Sequence, residues 1–178
     1  MSYFTANLTP VEEAIRDERR RQDAKWGEQN HPDGTGRPGD LAAAEQARAA
    51  CQANGPTEDN WRDILEEEVR EAFAETGFTT LRAELVQVAA VVVNWVESMD
   101  RRRAAAIQAH QYDELIFGGF VCVTCTPNWE TGDDPDDNVA WPCQALRDVG
   151  VTNEDAIAII KARRAEIERR AAREAGAR

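Results

Sequence analysis

The chain has 178 residues, 42% of them apolar and 30% charged, and carries a net charge of −12 from 33 acidic against 21 basic side chains. That length suits one domain with an appended segment, and the apolar fraction is enough for a core, which excludes a wholly disordered chain. The acidity argues against a general phosphate-backbone binder, so nucleic acid is not the expected partner, although carboxylate-bound divalent cations can reverse the local field toward a nucleotide. The opening MSYFTANLTPVEEA lacks a basic start followed by an apolar run, and the most apolar stretch, Leu85 to Val96, contains Gln87 and Asn94 and is too short to span a bilayer. A soluble, cytoplasmic chain without a membrane partner is expected.

Thr9, Pro10 and Glu12 read as a helix start with a hydroxyl cap, a proline at the first position and a returning carboxylate. This helix should reach about Lys25. The next stretch, WGEQNHPDGTGRPGD from Trp26 to Asp40, is a loop, and its length is unusual in a compact domain unless it serves a ligand. Leu41 to Asn54 is alanine-rich and helix-prone, ending at Gly55-Pro56. Thr57 or Asp59 then caps a helix through WRDILEEEVREAFAE, whose Trp61, Ile64, Leu65, Val69, Ala72 and Phe73 form one stripe. Thr79 or Thr80 opens a further helix from Leu81 through Val96 to about Ala109. Its apolar residues cover more than one face, as in a helix central to a bundle or covered by a partner subunit.

Beyond Gln111 the pattern weakens. YDELIFGGFVCV, from Tyr112 to Val123, is compatible with a short hairpin, and NWETGDDPDDN, from Asn128 to Asn138, has the composition of a solvent loop. A last helix begins at Thr152 with Asp155 as its N3 carboxylate. From Lys161 onward seven basic residues face three acidic ones, which reads as a solvated face with cations favoured near a helix C-terminus.

Glu67, Glu68 and Glu71 share one helix, and Glu84 lies on the next. Residues 68 and 71 are one turn apart and project from the same face, where two carboxylates repel unless a cation lies between them. Solvent ions supply that at a surface, and a hard divalent cation supplies it in a crevice. Glu84, Gln87 and Asn94 lie along one stripe of the otherwise apolar second helix. Buried polar groups need partners, which a metal–water network or plain interhelical hydrogen bonds would provide.

EEVREAF followed by LRAELVQVAAVVVNW resembles the paired motifs of the all-α nucleoside triphosphate pyrophosphohydrolases, the MazG-like superfamily, over Trp61 to Glu97. The preceding ERRRQDAKWGEQNHPDGTG is similar to a segment found before those motifs in MazG-like proteins of actinobacteria and their phages, which would place a phage-encoded chain in the host cytoplasm. The resemblance implies an all-α, MazG-like helical bundle over residues 1–111 and a small irregular C-terminal addition with cysteines and a helix over 112–178. It implies hydrolysis of a nucleoside triphosphate to monophosphate and pyrophosphate, with a purine deoxynucleotide such as dATP or dGTP as the expected substrate. Mg2+ or Mn2+ would be held by Glu68, Glu71 and Glu84, with Glu67 orienting the water or holding another ion. The family pattern pairs Glu-x-x-Glu on one helix with Glu-x-x-Asp on the next, and here Gln87 stands where the aspartate would be, so either Glu67 compensates, or Gln87 is a weaker or outer ligand, or the chain is catalytically poor; a noncatalytic nucleotide-binding or helical interaction module is the alternative. A homodimer or dimer-based tetramer is implied as well.

In the long loop Trp26 offers a stacking surface to a base, Lys25 a charge to phosphate and His31 a hydrogen bond to base or sugar. Ordinary packing and turn formation explain the same residues, and Asn94 faces either a ligand or another side chain. Gly34, Thr35, Gly36 and Arg37 permit close backbone approach without the spacing of a phosphate-binding loop. Cys122 and Cys125 have the spacing of half a zinc site or a redox pair, and Cys143 adds a third thiol after 17 intervening residues. His110 or His31 would complete a structural Zn2+ site; unliganded thiols are the plain alternative. A zinc-dependent nucleic-acid adaptor using this segment and the basic tail is a further reading. Cys51, on the alanine-rich helix, reads as a small core residue.

Overall fold

The computed structural model describes residues 9–54, 58–114, 120–126 and 139–176. They are mostly helical, with one two-stranded sheet, in the order α1 (Pro10–Trp26), α2 (Asp40–Ala53), α3 (Trp61–Ala74), α4 (Phe78–Ala109), β1 (Tyr112–Glu114), β2 (Phe120–Cys122), α5 (Gln144–Asp148) and α6 (Asn153–Gly176). The all-α expectation holds at that level. Two compact units divide at residues 98 and 99, so the last turns of α4 belong with the second. The acidic segment 128–138 and Thr57 lie outside the described residues. Among the described residues, no helix is long and apolar enough to cross a membrane.

In the first unit, α1 starts as its sequence dictates. Thr9 Oγ1 accepts from the Glu12 amide at 3.3 Å while Glu12 Oε2 accepts from the Thr9 amide at 2.7 Å, and Gly27, at φ +67°, closes the helix by donating to the Asp23 carbonyl. Exposed ion pairs Arg19–Asp23, Arg20–Asp17 and Arg21–Glu18 line its surface.

Helices α2 and α3 pack against each other. The α3 cap is neither Thr57 nor Asp59: Asn60 Oδ1 accepts from the Asp63 amide at 3.1 Å. Asp63 Oδ2 in turn accepts from the side-chain amides of Asn60 and Asn54, so one carboxylate joins the end of α2 to the start of α3. Three residues lead from α3 to α4. The Gly77 carbonyl accepts from both the Leu81 amide and Thr80 Oγ1, which places the helix start earlier than Leu81. The far ends of the two helices meet through Trp61 and Trp95, stacked at 6.3 Å with planes 10° apart. Helix α4 is not buried on several faces within the chain: Leu85 and Val86 are about half exposed, and Gln87 and Asn94 face solvent instead of needing buried partners.

The second unit is built around Cys122, Trp141, Cys143, Leu146, Val151, Ala156 and Ile160. The segment whose weak pattern was compatible with a short hairpin forms β1 and β2, antiparallel with Tyr112 opposite Cys122 and Glu114 opposite Phe120, and Val121 makes a further bridge to Ala140. Tyr112 packs edge-on to Phe120 and tilted against Trp141. The α6 start repeats the logic of α1: Thr152 Oγ1 accepts from the Asp155 amide, Asp155 Oδ2 accepts from the Thr152 amide, and the same carboxylate pairs with Arg103 of α4 at 2.9 Å. Toward its end, Arg169–Glu166 and Arg170–Glu174 pair on the surface, in keeping with a solvated basic face.

Candidate functional site

Glu68 and Glu71 stand one turn apart on α3, and the tight turn at Gly77 folds α4 back so that Glu84 meets them. One carboxylate oxygen from each of Glu68, Glu71 and Glu84 lies within 4.8 Å of the others, all three side chains being half-buried. Partial burial disfavours charge on Glu68, and the neighbouring carboxylates of Glu71, Glu84 and Glu67 add to it, so the Glu68 carboxyl titrates above its ordinary value of 4.5. Glu84 is raised in the same way, first by desolvation and then by Glu71 and Glu75, with Arg48 opposing. Glu68 Oε2 is sealed from solvent and has no hydrogen-bond partner among the described residues. A buried acceptor without a donor is costly, by about 1–3 kcal/mol where nothing compensates. A cation among the three carboxylates would relieve both the orphaned oxygen and the repulsion, so the residues fit a hard divalent ion.

Two neighbours partly supply that compensation. Arg48 of α2 hydrogen-bonds to Glu71 Oε1 from Nε at 2.8 Å and again from Nη2. Gln87, one turn beyond Glu84, donates its side-chain amide to Glu84 Oε2 at 2.7 Å. Glu67 turns instead toward α2, 4.0 Å from Arg48, and accepts a hydrogen bond from the Cys51 thiol. That bond, with burial and the nearby acidic charges, pushes Cys51 up to about 11, so this thiol stays protonated and is a hydrogen-bonded helix residue.

The loop residues are placed differently. Lys25 Nζ lies 4.6 Å from the centre of the Trp26 ring, so these two residues engage each other at the end of α1. His31 lines a groove with Arg19, Gln22, Asp23, Gly27, Glu28 and Gln29. Among the described residues, no hydrogen bond or ion pair joins Lys25, Trp26, His31 or Asn94 to the three glutamates. The loop nevertheless docks on the helix that carries Glu68 and Glu71: the Gly36 amide donates to the Phe73 carbonyl at 2.8 Å. Gly36 has φ +68°, and a Cβ there would lie 2.5 Å from Thr76 Cγ2. Close approach, the property read from this glycine run, is used for packing onto α3.

In the second unit the three local thiols meet His110, which follows the last residue of α4. His110 Nδ1 lies 3.3 Å from Cys125 Sγ, 3.5 Å from Cys143 Sγ and 3.8 Å from Cys122 Sγ. Cys122 and Cys143 are buried. Burial first, then hydrogen bonds with Cys122 and Cys143, push the Cys125 thiol up to about 12. Arg48 is the functional neighbour that sequence reasoning missed, since an ion pair between helices leaves no periodic signal. No family model, curated protein or solved structure matches the chain.

Proposed function

We propose that the first unit hydrolyses nucleoside triphosphates, with purine deoxynucleotides such as dATP or dGTP as the preferred class, to nucleoside monophosphate and pyrophosphate. The observation that carries this reading is the meeting of Glu68, Glu71 and Glu84, with one oxygen of Glu68, Oε2, buried and unpartnered. Mg2+ or Mn2+ bound there would neutralise phosphate oxygens and lower the pKa of an attacking water. Glu68 and Glu71 supply oxygens from one helix face, Glu84 supplies one from the facing helix, and Gln87 holds the Glu84 carboxylate through its amide. Glu67, already committed to Arg48 and Cys51, serves by holding α2 and Arg48 beside the site. The exposed Leu85, Val86, Val92 and Val96 on α4 are in keeping with a homodimer or a dimer-based tetramer.

Product analysis with a panel of ribo- and deoxynucleoside triphosphates tests the reading. Metal-dependent release of monophosphate and pyrophosphate, lost in Glu68→Ala and Glu71→Ala, is the expected result. Diphosphate and phosphate as products, or turnover unchanged by those substitutions, would sink it. One observation favours a second reading, a noncatalytic nucleotide-binding or interaction module: the neutral Gln87 and the Arg48 guanidinium already satisfy Glu84 and Glu71 without a metal. Nucleotide binding with no turnover in Mg2+ or Mn2+ would select it.

A further inference from the structure

We infer that His110, Cys122, Cys125 and Cys143 form a tetrahedral structural Zn2+ site that organises the second unit. Side chains from three separate stretches of the chain converge there: His110 follows α4, Cys122 ends β2 with Cys125 in the turn after it, and Cys143 precedes α5. With Zn–S near 2.3 Å and Zn–N near 2.1 Å, a tetrahedral ion holds nitrogen and sulfur about 3.6 Å apart. The three Nδ1–Sγ distances of 3.3, 3.5 and 3.8 Å bracket that value.

Hydrogen bonding alone does not account for the arrangement. A neutral imidazole that accepts at Nδ1 has a single lone pair there, enough for one thiol and not for three. A cation at the centre of the tetrahedron gives each sulfur and the nitrogen its own bond. Three soft thiolates and one imidazole select Zn2+ over the hard cations suited to the glutamate site. Binding converts three thiols and a neutral imidazole into a zinc complex of net charge −1 and releases three protons.

The surroundings hold the ligands for this purpose. Trp141 Nε1 donates to the His110 carbonyl at 2.9 Å, and Thr124 Oγ1 donates to the Ala109 carbonyl at 2.7 Å, so the end of α4 is fixed from two sides. The Cys122 carbonyl accepts from the amides of Cys125 and Thr126, which shapes the turn between the paired cysteines. Cys122 and Cys143 also belong to the hydrophobic core of the unit. The ion would therefore join α4, the hairpin and α5 beside that core.

The test uses the full chain, purified without chelators or metal-affinity resin. Elemental analysis is expected to find one zinc per chain. Exchange for Co2+ should give the visible d–d bands of a tetrahedral ion and a sulfur charge-transfer band in the near ultraviolet. Cys51→Ser should leave both signals intact, whereas Cys143→Ser should lose the charge-transfer intensity of one thiolate or the ion altogether. Should Cys143→Ser fail to fold, His110→Cys keeps the proposal testable, because a four-sulfur site retains the ion and adds charge-transfer intensity. Substoichiometric zinc in protein prepared with added zinc, all four native thiols alkylating as fast as in the denatured chain, or a Cys122–Cys125 disulfide found by mass would each overturn the proposal. None of these readouts depends on nucleotide hydrolysis.

Discussion

Both donors that Arg48 directs at Glu71 fall on the same carboxylate oxygen, Oε1. The guanidinium therefore acts as an internal counter-ion chiefly to one member of the glutamate trio, and opposes the raised pKa of Glu84 only after burial and the neighbouring carboxylates have acted. Any divalent ion entering the trio competes with it.

Removing that competitor should strengthen cation binding. For Arg48→Ala the Mn2+ dissociation constant should fall roughly fivefold, the upper end of what an exposed ion pair supplies. Isothermal titration with Mn2+ checks this, and weaker binding in the variant would show that Arg48 positions Glu71 for the metal.

The raised carboxyls of Glu68 and Glu84 set the pH dependence of the metal-free first unit. Their folded pKa values lie above the ordinary 4.5, so the folded form holds these protons more tightly than the unfolded chain. Their stabilising contribution is complete below about pH 4.5 and declines as pH rises through the raised values. In buffer free of Mg2+ and Mn2+, amide exchange in α3 and α4 should show Glu68→Gln as protected as the parent near pH 4 and better protected at pH 7. The same variant should lose at least about 100-fold in any metal-dependent turnover. Equal protection at both pH values would show that the trio is not strained by its charge.

Placing a carboxylate at position 87 separates the two readings of the first unit. Gln87→Asp removes the amide that holds Glu84 and adds a negative charge beside it. Mn2+ affinity should rise on the order of tenfold, because affinity at oxygen sites follows ligand charge, and metal-free stability should fall. A rise in turnover together with affinity would identify Gln87 as a brake on catalysis; unchanged affinity would remove the position from the site.

Gly36→Ala tests the docking of the long loop. The positive φ and the approach to Thr76 both oppose a side chain, and the expected cost is about 1–3 kcal/mol. Amide exchange at Gly36 and the residues around it should accelerate while α1 keeps its protection. An unchanged exchange pattern would mean that the loop does not depend on that contact.

The parts legible in the sequence were those with short-range causes. The Thr9/Glu12 and Thr152/Asp155 caps are relations between residues three apart, and the structure contains both. Glu68 and Glu71 share a face by helical spacing alone, and the turn at Gly77 is enough to bring Glu84 to them. Asn60 was missed as a cap because Thr57, Asp59 and Asn60 are all residue types that favour an N-cap, so residue type alone does not choose among them. Helix α5 spans Gln144–Asp148, too short to establish a period. The apolar residues of α4 read as a bundle centre or as a face covered by a partner subunit, and within the chain Leu85 and Val86 stay about half exposed, since periodicity reports that a face is apolar and not what covers it. His110, one of two histidines available to the thiols, is selected by the tertiary course of α4 and the hairpin.

The three-residue link between α3 and α4 also bears on when each site can form. The glutamate trio sits within a single helical hairpin, so its assembly needs one short loop closure, inexpensive in chain entropy and fast on the scale of folding events. The thiol cluster must wait for Cys143, beyond the acidic segment, before its fourth arm exists. During synthesis the carboxylates could therefore meet a cation while the thiol cluster was still incomplete, so the two cation sites proposed above would form in sequence, the hard one first.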